Sequence, residues 1–319
     1  MSKRWFVLIL AVVAVITLCA PFDPKLASLM LRAWSTSAPV SIVGNSVLSH
    51  ASRCDSDPRT LPQMLAADIG QSVLDISFPG QLLDPAVNLA AIALRNPHTR
   101  TVVVPVSLFE LIQWDGLSWR DYMLFRLINP AIAARSLRAR LLGPDDIATS
   151  HPLYSAFTYA GKDYPDYNLL KATYLGPEST TMPCPENDGV NRNFIAANYY
   201  HTYFEFPLAS GSVKMLASLG EEARRRGRSL LVVLMPIDEE LIAQLGVAGA
   251  ASLQGTVTQA LDALTSRGLH VLDLSSSVAN ADFADRWCAC GHLLDDGRVA
   301  VAQRIGHQLM DSARTIAAH

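Results

Sequence analysis

Pro39-Val40-Ser41-Ile42-Val43-Gly44-Asn45-Ser46-Val47-Leu48-Ser49 decides how the chain is read. Residues 39–43 form a short, nearly continuous apolar run, the pattern of a strand buried on both faces. Gly44-Asn45-Ser46 then makes a turn of small residues, and a helix-length segment follows. Such a strand-to-helix turn is where α/β folds expose a nucleophile beside backbone N–H donors. Small turn residues after a strand are common, so the reading needs a second site. The far end of the chain supplies one: Gly291-His292-Leu293, then Asp295-Asp296-Gly297-Arg298 and a closing apolar helix.

Between these ends strands and helices alternate. Residues 72–78 read as a second strand, ending at Pro79-Gly80-Gln81. Asp84 is placed to cap a helix running to Ala93. Residues 101–106 form a third strand, with Ser107 at its carboxyl end. A fourth strand is expected over 230–235 and a fifth over 269–274. Helical spacing covers 61–69, 210–226, 238–245, 254–267 and 295–316, with Gly227 and Gly268 as stops. Helix-length crossovers imply an α/β fold: a parallel five-stranded sheet flanked by helices in three layers, flavodoxin-like. Ligands in such sheets bind beyond the carboxyl ends of the strands. Ser46, Gly80 and Ser107 fall at such ends, and His292 sits on a loop that can return there.

The chain has 319 residues, 50% hydrophobic and 17% charged, enough for a sizeable core. A net charge of -3 argues against a nucleic-acid partner, and the composition against disorder. Lys3-Arg4 precedes 16 uncharged residues, Trp5 to Ala20. A cleaved signal peptide and an uncleaved anchor compete. Leu18-Cys19-Ala20 followed by Pro21 is a poor cleavage site, and Lys3 and Arg4 satisfy the positive-inside rule, so the anchor is preferred. The expected organisation is an N-terminal membrane helix over 1–22, a linker or short helix over 23–38, and one α/β domain over 39–319. That domain carries a long insertion at about 110–207. It would lie on the extracytoplasmic, periplasmic side of a bacterial cytoplasmic membrane.

Four of the five cysteines, Cys54, Cys184, Cys288 and Cys290, fall in the exported part. An even number in an oxidising compartment favours disulfides over zinc, because Cys288-x-Cys290 lacks zinc-knuckle spacing. The pairing stays open. There is no glycine-rich phosphate loop and no His-Glu-x-x-His, so neither cofactor nor metal is expected.

The insertion is less regular. Residues 121–142 look helical, and Arg126, Arg135, Arg138 and Arg140 make either a solvated face or a membrane-surface face. Tyr199-Tyr200-His201-Thr202-Tyr203 is an aromatic run. Tyr199 and His201 are candidates for stacking on sugar rings, against the plainer reading of packing. His50, four residues past Ser46, is a second histidine near the turn, more often a surface or capping residue.

A serine hydroxyl needs a base, and histidine titrates in the right range. An acyl oxyanion needs preorganised donors, which the N–H groups of Ser46 and Gly80 can supply. On these residues the chain resembles the SGNH, or GDSL-like, hydrolases. Gly44-Asn45-Ser46 stands where that family has Gly-Asp-Ser. Gly80 matches its oxyanion glycine. His292-Leu-Leu-Asp-Asp-Gly-Arg resembles its last block. The resemblance spans about 39–107 and 210–317. It implies Ser46 as nucleophile, His292 as base, and Ser46, Gly80 and Ser107 around the oxyanion. Two positions depart from the pattern. The third block has Ser107-Leu-Phe-Glu110 where the family carries asparagine. Ala289 stands three residues before His292, where it carries aspartate. Asp285 or Asp282 can reach His292 if the Cys-x-Cys loop folds back, or a backbone carbonyl can orient a Ser-His dyad.

The layout is also similar to a narrower group that acts beside membrane-bound O-acyltransferases: the D-alanyl transfer protein of lipoteichoic acid and alginate-type acetylation proteins. The expected function is therefore a serine-dependent esterase or O-acyltransferase on a cell-surface polysaccharide or polymer. The alternative is a non-catalytic accessory that binds polymer or scaffolds the acyltransferase.

Overall fold

The computed structural model describes residues 24–49, 55–77, 81, 83–112, 157–159, 162–164, 199, 203, 208, 210–246, 253–284 and 291–317. Five strands form one parallel sheet: β1 (Val40–Gly44), β2 (Val73–Ser77), β3 (Thr101–Val106), β6 (Ser229–Leu234) and β7 (His270–Asp273). Their order is β2-β1-β3-β6-β7. Every strand expected from the sequence is present, with its ends shifted by one residue at most. Two further strands, β4 (Phe157–Tyr159) and β5 (Lys162–Tyr164), pair antiparallel within the insertion.

β1 lies between β2 and β3, and all five of its residues are buried. Val40 pairs with Val73 of β2 on one side and with Thr101 of β3 on the other. Side chains alternate between the faces, as the period of two demands. Val43, Val104 and Val232 join the larger core, while Ile42, Val103 and Val233 join the smaller. This two-sided burial explains why β1, β3 and β6 are nearly continuous apolar runs.

Helices cover both faces. On the larger core lie α1 (Pro24–Ser35), α4 (Leu83–Ala93), the short α5 (Leu108–Ile112), α6 (Ser210–Arg225), α7 (Glu239–Leu245) and α8 (Leu253–Thr265). On the smaller core lie α3 (Leu61–Ile69) and α9 (Asp295–Ala317), through Leu61, Leu65, Val301 and Ile305. A four-residue helix, α2 (Ser46–Ser49), follows β1. The ends are chemically marked. Thr60 N–H donates to Gln63 Oε1 at the start of α3, and Gly70 ends it at φ 62°. Asp238 caps α7 by accepting from Leu241 N–H.

One local expectation is corrected and one is narrowed. Asp84 is no N-cap: α4 begins at Leu83, and Asp84 is a buried residue of its first turn whose Oδ1 accepts from Asn88 Nδ2. Of the two readings of 23–38, linker or short helix, the structure shows the helix. This is α1, whose Leu29, Met30 and Ala33 enter the larger core. Asn96 Nδ2 ties the end of α1 to the turn after α4 by donating to the carbonyls of Ala33 and Thr36. Among the described residues no helix is long and apolar enough to cross a membrane. Residues 5–20, and the helix expected over 121–142, lie outside the described residues.

Candidate active site

The strand order reverses direction between β1 and β3, and this switch point is where an open parallel sheet forms its ligand crevice. Ser46 stands at the β1 side of it, as the first residue of α2. Gly44 permits the tight turn: a Cβ there would sit 2.7 Å from Leu48 Cδ1. Asn45 shapes the rest. Its Oδ1 accepts from Val47 N–H at 3.0 Å, and its carbonyl accepts from Leu48 N–H at 3.1 Å. Among the described residues no hydrogen bond takes up the Ser46 N–H. A free donor at the nucleophile is what an oxyanion requires.

Ser46 Oγ lies 2.9 Å from Nε2 of His292. His292 is only 7% exposed. Its backbone is held by an antiparallel bridge between Phe283 and Leu293. Ala284 N–H donates to the His292 carbonyl, and Leu294 N–H to the Asp282 carbonyl, both at 2.8 Å. Gly291, just before it, takes φ 73°, a left-handed turn suited to glycine.

Behind this loop is a buried ion pair that the sequence alone does not reveal. Arg298, with a side chain 0% exposed, pairs with Asp55. It also donates to the carbonyls of Leu293 (2.8 Å), Asp57 (2.7 Å) and Arg59 (3.1 Å). Asp55 Oδ1 in turn accepts from Asp295 N–H, and Asp295 Oδ2 accepts from Ser56. The Ser56 hydroxyl holds the Asp295 carboxyl below its ordinary range. The segment after the nucleophile helix is thereby fastened to the first turns of α9, immediately beyond His292.

The second missed residue is Glu110, in α5. Its carboxylate spans the switch point: Oε1 accepts from Asn45 Nδ2 at 3.3 Å and Oε2 from Ser107 N–H at 2.7 Å. Burial pushes its carboxyl up to about 7, against the lowering effect of both hydrogen bonds. The only signal in the sequence is one acid within the apolar run Leu108-Phe-Glu-Leu-Ile112.

The remaining expectations divide. Asp282 does not meet His292. Its carboxyl is raised by partial burial and then by the charges of Asp296 and Asp295, and its Cβ packs at Gly297. What it gives the histidine loop is its backbone carbonyl. The backbone N–H of Ser107 is committed to Glu110, which leaves its hydroxyl as the group able to serve an oxyanion. Tyr199 is 2% exposed, inside the larger core, with its ring 6.0 Å from that of Tyr203. It packs and does not offer a stacking face. Gly80, Asp285, His50, His201, Cys54, Cys184, Cys288 and Cys290 lie outside the described residues. Gln81, beside Gly80, is buried with neither amide atom hydrogen-bonded. Among the described residues no group of three or more His, Cys, Asp or Glu could hold a metal ion.

A serine at the end of the first strand of a parallel five-stranded sheet, with a histidine before the closing helix, is consistent with an SGNH-like α/β fold. No protein-family model matches the chain, and no curated protein does. Among solved structures it is similar to a lipase/acylhydrolase from Enterococcus faecalis, at 8% identity and a TM-score of 0.41, over 85% of this chain and 94% of that one. A GDSL-like lipase from Bacteroides thetaiotaomicron is similar at 8% identity and a TM-score of 0.38, over 86% and 88%. A variant of an acetyl xylan esterase from Geobacillus stearothermophilus is similar at 9% identity and a TM-score of 0.34, over 86% and 94%.

Proposed function

We propose that the protein is a serine-dependent acyl esterase or O-acyltransferase. The observation that carries this reading is the 2.9 Å contact between Ser46 Oγ and His292 Nε2 at the switch point. In the tautomer with Nδ1 protonated, Nε2 accepts the serine proton. Ser46 Oγ then attacks the acyl carbon, and the new oxyanion is held by the Ser46 N–H, with Gly80 N–H and the Ser107 hydroxyl as further donors. The intermediate collapses, and His292 returns the proton to the departing alkoxide. Water or a sugar hydroxyl attacks the acyl-enzyme, His292 takes its proton, and Ser46 leaves and is reprotonated. Asp285 is the carboxylate proposed to orient His292 (a backbone carbonyl is the other candidate).

The substrate proposed is an acyl ester on a cell-surface polysaccharide or polymer, with a membrane-bound O-acyltransferase as partner. The support is in the sequence: the uncharged run from Trp5 to Ala20 behind Lys3-Arg4 favours an anchor with the domain outside the cytoplasmic membrane. The full chain in detergent would be assayed for p-nitrophenol release from p-nitrophenyl acetate. The wild type is expected to turn over, and S46A and H292A to fall to background. Equal rates in all three proteins would reject the assignment.

The alternative, a non-catalytic accessory, rests on two departures in the sequence: Ser107-Leu-Phe-Glu110 lacks the asparagine of the resembled third block, and Ala289 stands where its aspartate would. Ser46 and His292 meeting through two separately fastened loops weighs against it, because a binding surface needs no such contact.

A further inference from the structure

We propose that Glu110 is a positioning residue for the nucleophile: its carboxylate, bridging Asn45 and Ser107 across the switch point, holds Ser46 in register with His292. This rests on Ser46 and His292 being the reacting pair.

The argument starts from isolation. Glu110 is 7% exposed, and its carboxylate oxygens bind two neutral donors, Asn45 Nδ2 and Ser107 N–H. A buried carboxylate without a cation is costly, and cores of this kind are normally filled by apolar side chains. Here the acid stands among Leu108, Leu111 and Ile112, all buried. Its geometry shows what the cost secures. One oxygen grips the end of β3, and the other grips the residue before the nucleophile. Asn45 cannot swing, because its Oδ1 is engaged at Val47 N–H. The α5 backbone is fixed as well: Glu110 N–H donates to the Ser107 carbonyl, and the Glu110 carbonyl accepts from Ser212 Oγ of α6. The clamp thus transmits the position of α5 and α6 to the turn that carries Ser46.

Only an ionised carboxylate accepts at both oxygens without presenting a proton. Protonation turns one oxygen into a donor facing an N–H, and the clamp slackens. The site is therefore built to work with Glu110 charged, although its burial favours the neutral acid. Among the described residues the carboxylate's polar contacts are these two neutral donors, and the next ionisable group along the chain of contacts is His292, through Ser46.

The test uses E110Q, which keeps shape and loses one acceptor, with E110D as the conservative variant. The full chain would be assayed with p-nitrophenyl acetate from pH 5.5 to 9. E110Q is expected to lose kcat on the order of 10- to 100-fold with little change in KM, as misplacement of a reacting group does. The ratio of wild-type to E110Q kcat is expected to rise with pH through about 7, a change that His292, common to both, does not produce. E110D is expected to recover part of the loss. A wild-type kcat and pH profile in E110Q would overturn the proposal. A crystal structure of E110Q decides independently of turnover. Ser46 Oγ displaced from His292 Nε2 supports the clamp, and an unchanged hydrogen bond between them overturns it. A wild type that fails to turn over rejects the enzymatic reading, and the E110Q structure still judges the clamp.

Discussion

Ser46 and His292 are 246 positions apart in the chain and 2.9 Å apart at the carboxyl edge of the sheet. Neither loop reaches this meeting by itself. Ser46 is placed by Asn45, which is held by Glu110. His292 is placed by the bridge of Phe283 and Leu293, which Arg298 grips from behind. The contact is as good as these two supports, and each can be removed separately.

Arg298 supports by charge. Its ion pair with Asp55 is almost fully buried on both sides, so R298A strands a carboxylate in the core. Breaking one side of such a pair costs about 3–5 kcal/mol. Urea denaturation of R298A is expected to show a loss of that size, and R298M/D55L a clearly smaller one. Equal losses in the two proteins would mean that packing of the arginine stem, and not the stranded charge, sets the cost.

Glu110 supports at the expense of stability. Its carboxyl is pushed from its ordinary 4.5 up to about 7. Between those values the native state holds a proton that the unfolded chain has released. The contribution of this group to stability is therefore full below about 4.5 and is lost as pH rises through about 7. The lost contribution is on the order of 3 kcal/mol. Thermal melts of wild type and E110Q across pH 4–8.5 are expected to diverge in that window, with E110Q gaining on the wild type as pH rises. Parallel curves would show that Glu110 has no raised pKa.

Asn45 offers a sharper discrimination. The resembled family carries aspartate at this position, yet N45D should be harmful here. It would set a second carboxylate 3.3 Å from Glu110 Oε1, where Asn45 Nδ2 now donates. Two carboxylates at such a distance cannot both ionise in a buried site. N45D is expected to melt lower than wild type at pH 8 and to recover much of the difference at pH 5. A melt like that of the wild type at both values would contradict the assigned orientation of the Asn45 amide.

The three inner strands β1, β3 and β6 were legible because two-sided burial leaves continuous apolar runs that few other structures require, whereas the edge strands β2 and β7 show a weaker, interrupted pattern. The meeting of Ser46 and His292 was legible because both turns fall at the carboxyl edge, where such sheets form their ligand crevice. Asp282 misled because nearness in sequence says nothing about where a carboxylate points; it turns to the start of α9. Tyr199 misled because an aromatic run reads the same whether it faces a ligand or a core. Asp84 is a common helix cap in the wrong register, one residue inside α4. Glu110 and Arg298 were silent for a different reason. Each acts through partners 65 or more positions away, Asn45 for one and Asp55 for the other, and a single sequence does not show such pairings.

The central claim is that Ser46 is a nucleophile activated by His292. Its most direct test is intact-mass analysis after exposure to a fluorophosphonate, which bonds only to an activated serine. One adduct on the wild type, mapped by peptide sequencing to Ser46 and absent from S46A and H292A, is the predicted result. A folded wild type that takes no adduct, or an H292A that takes it at the wild-type rate, would contradict the account.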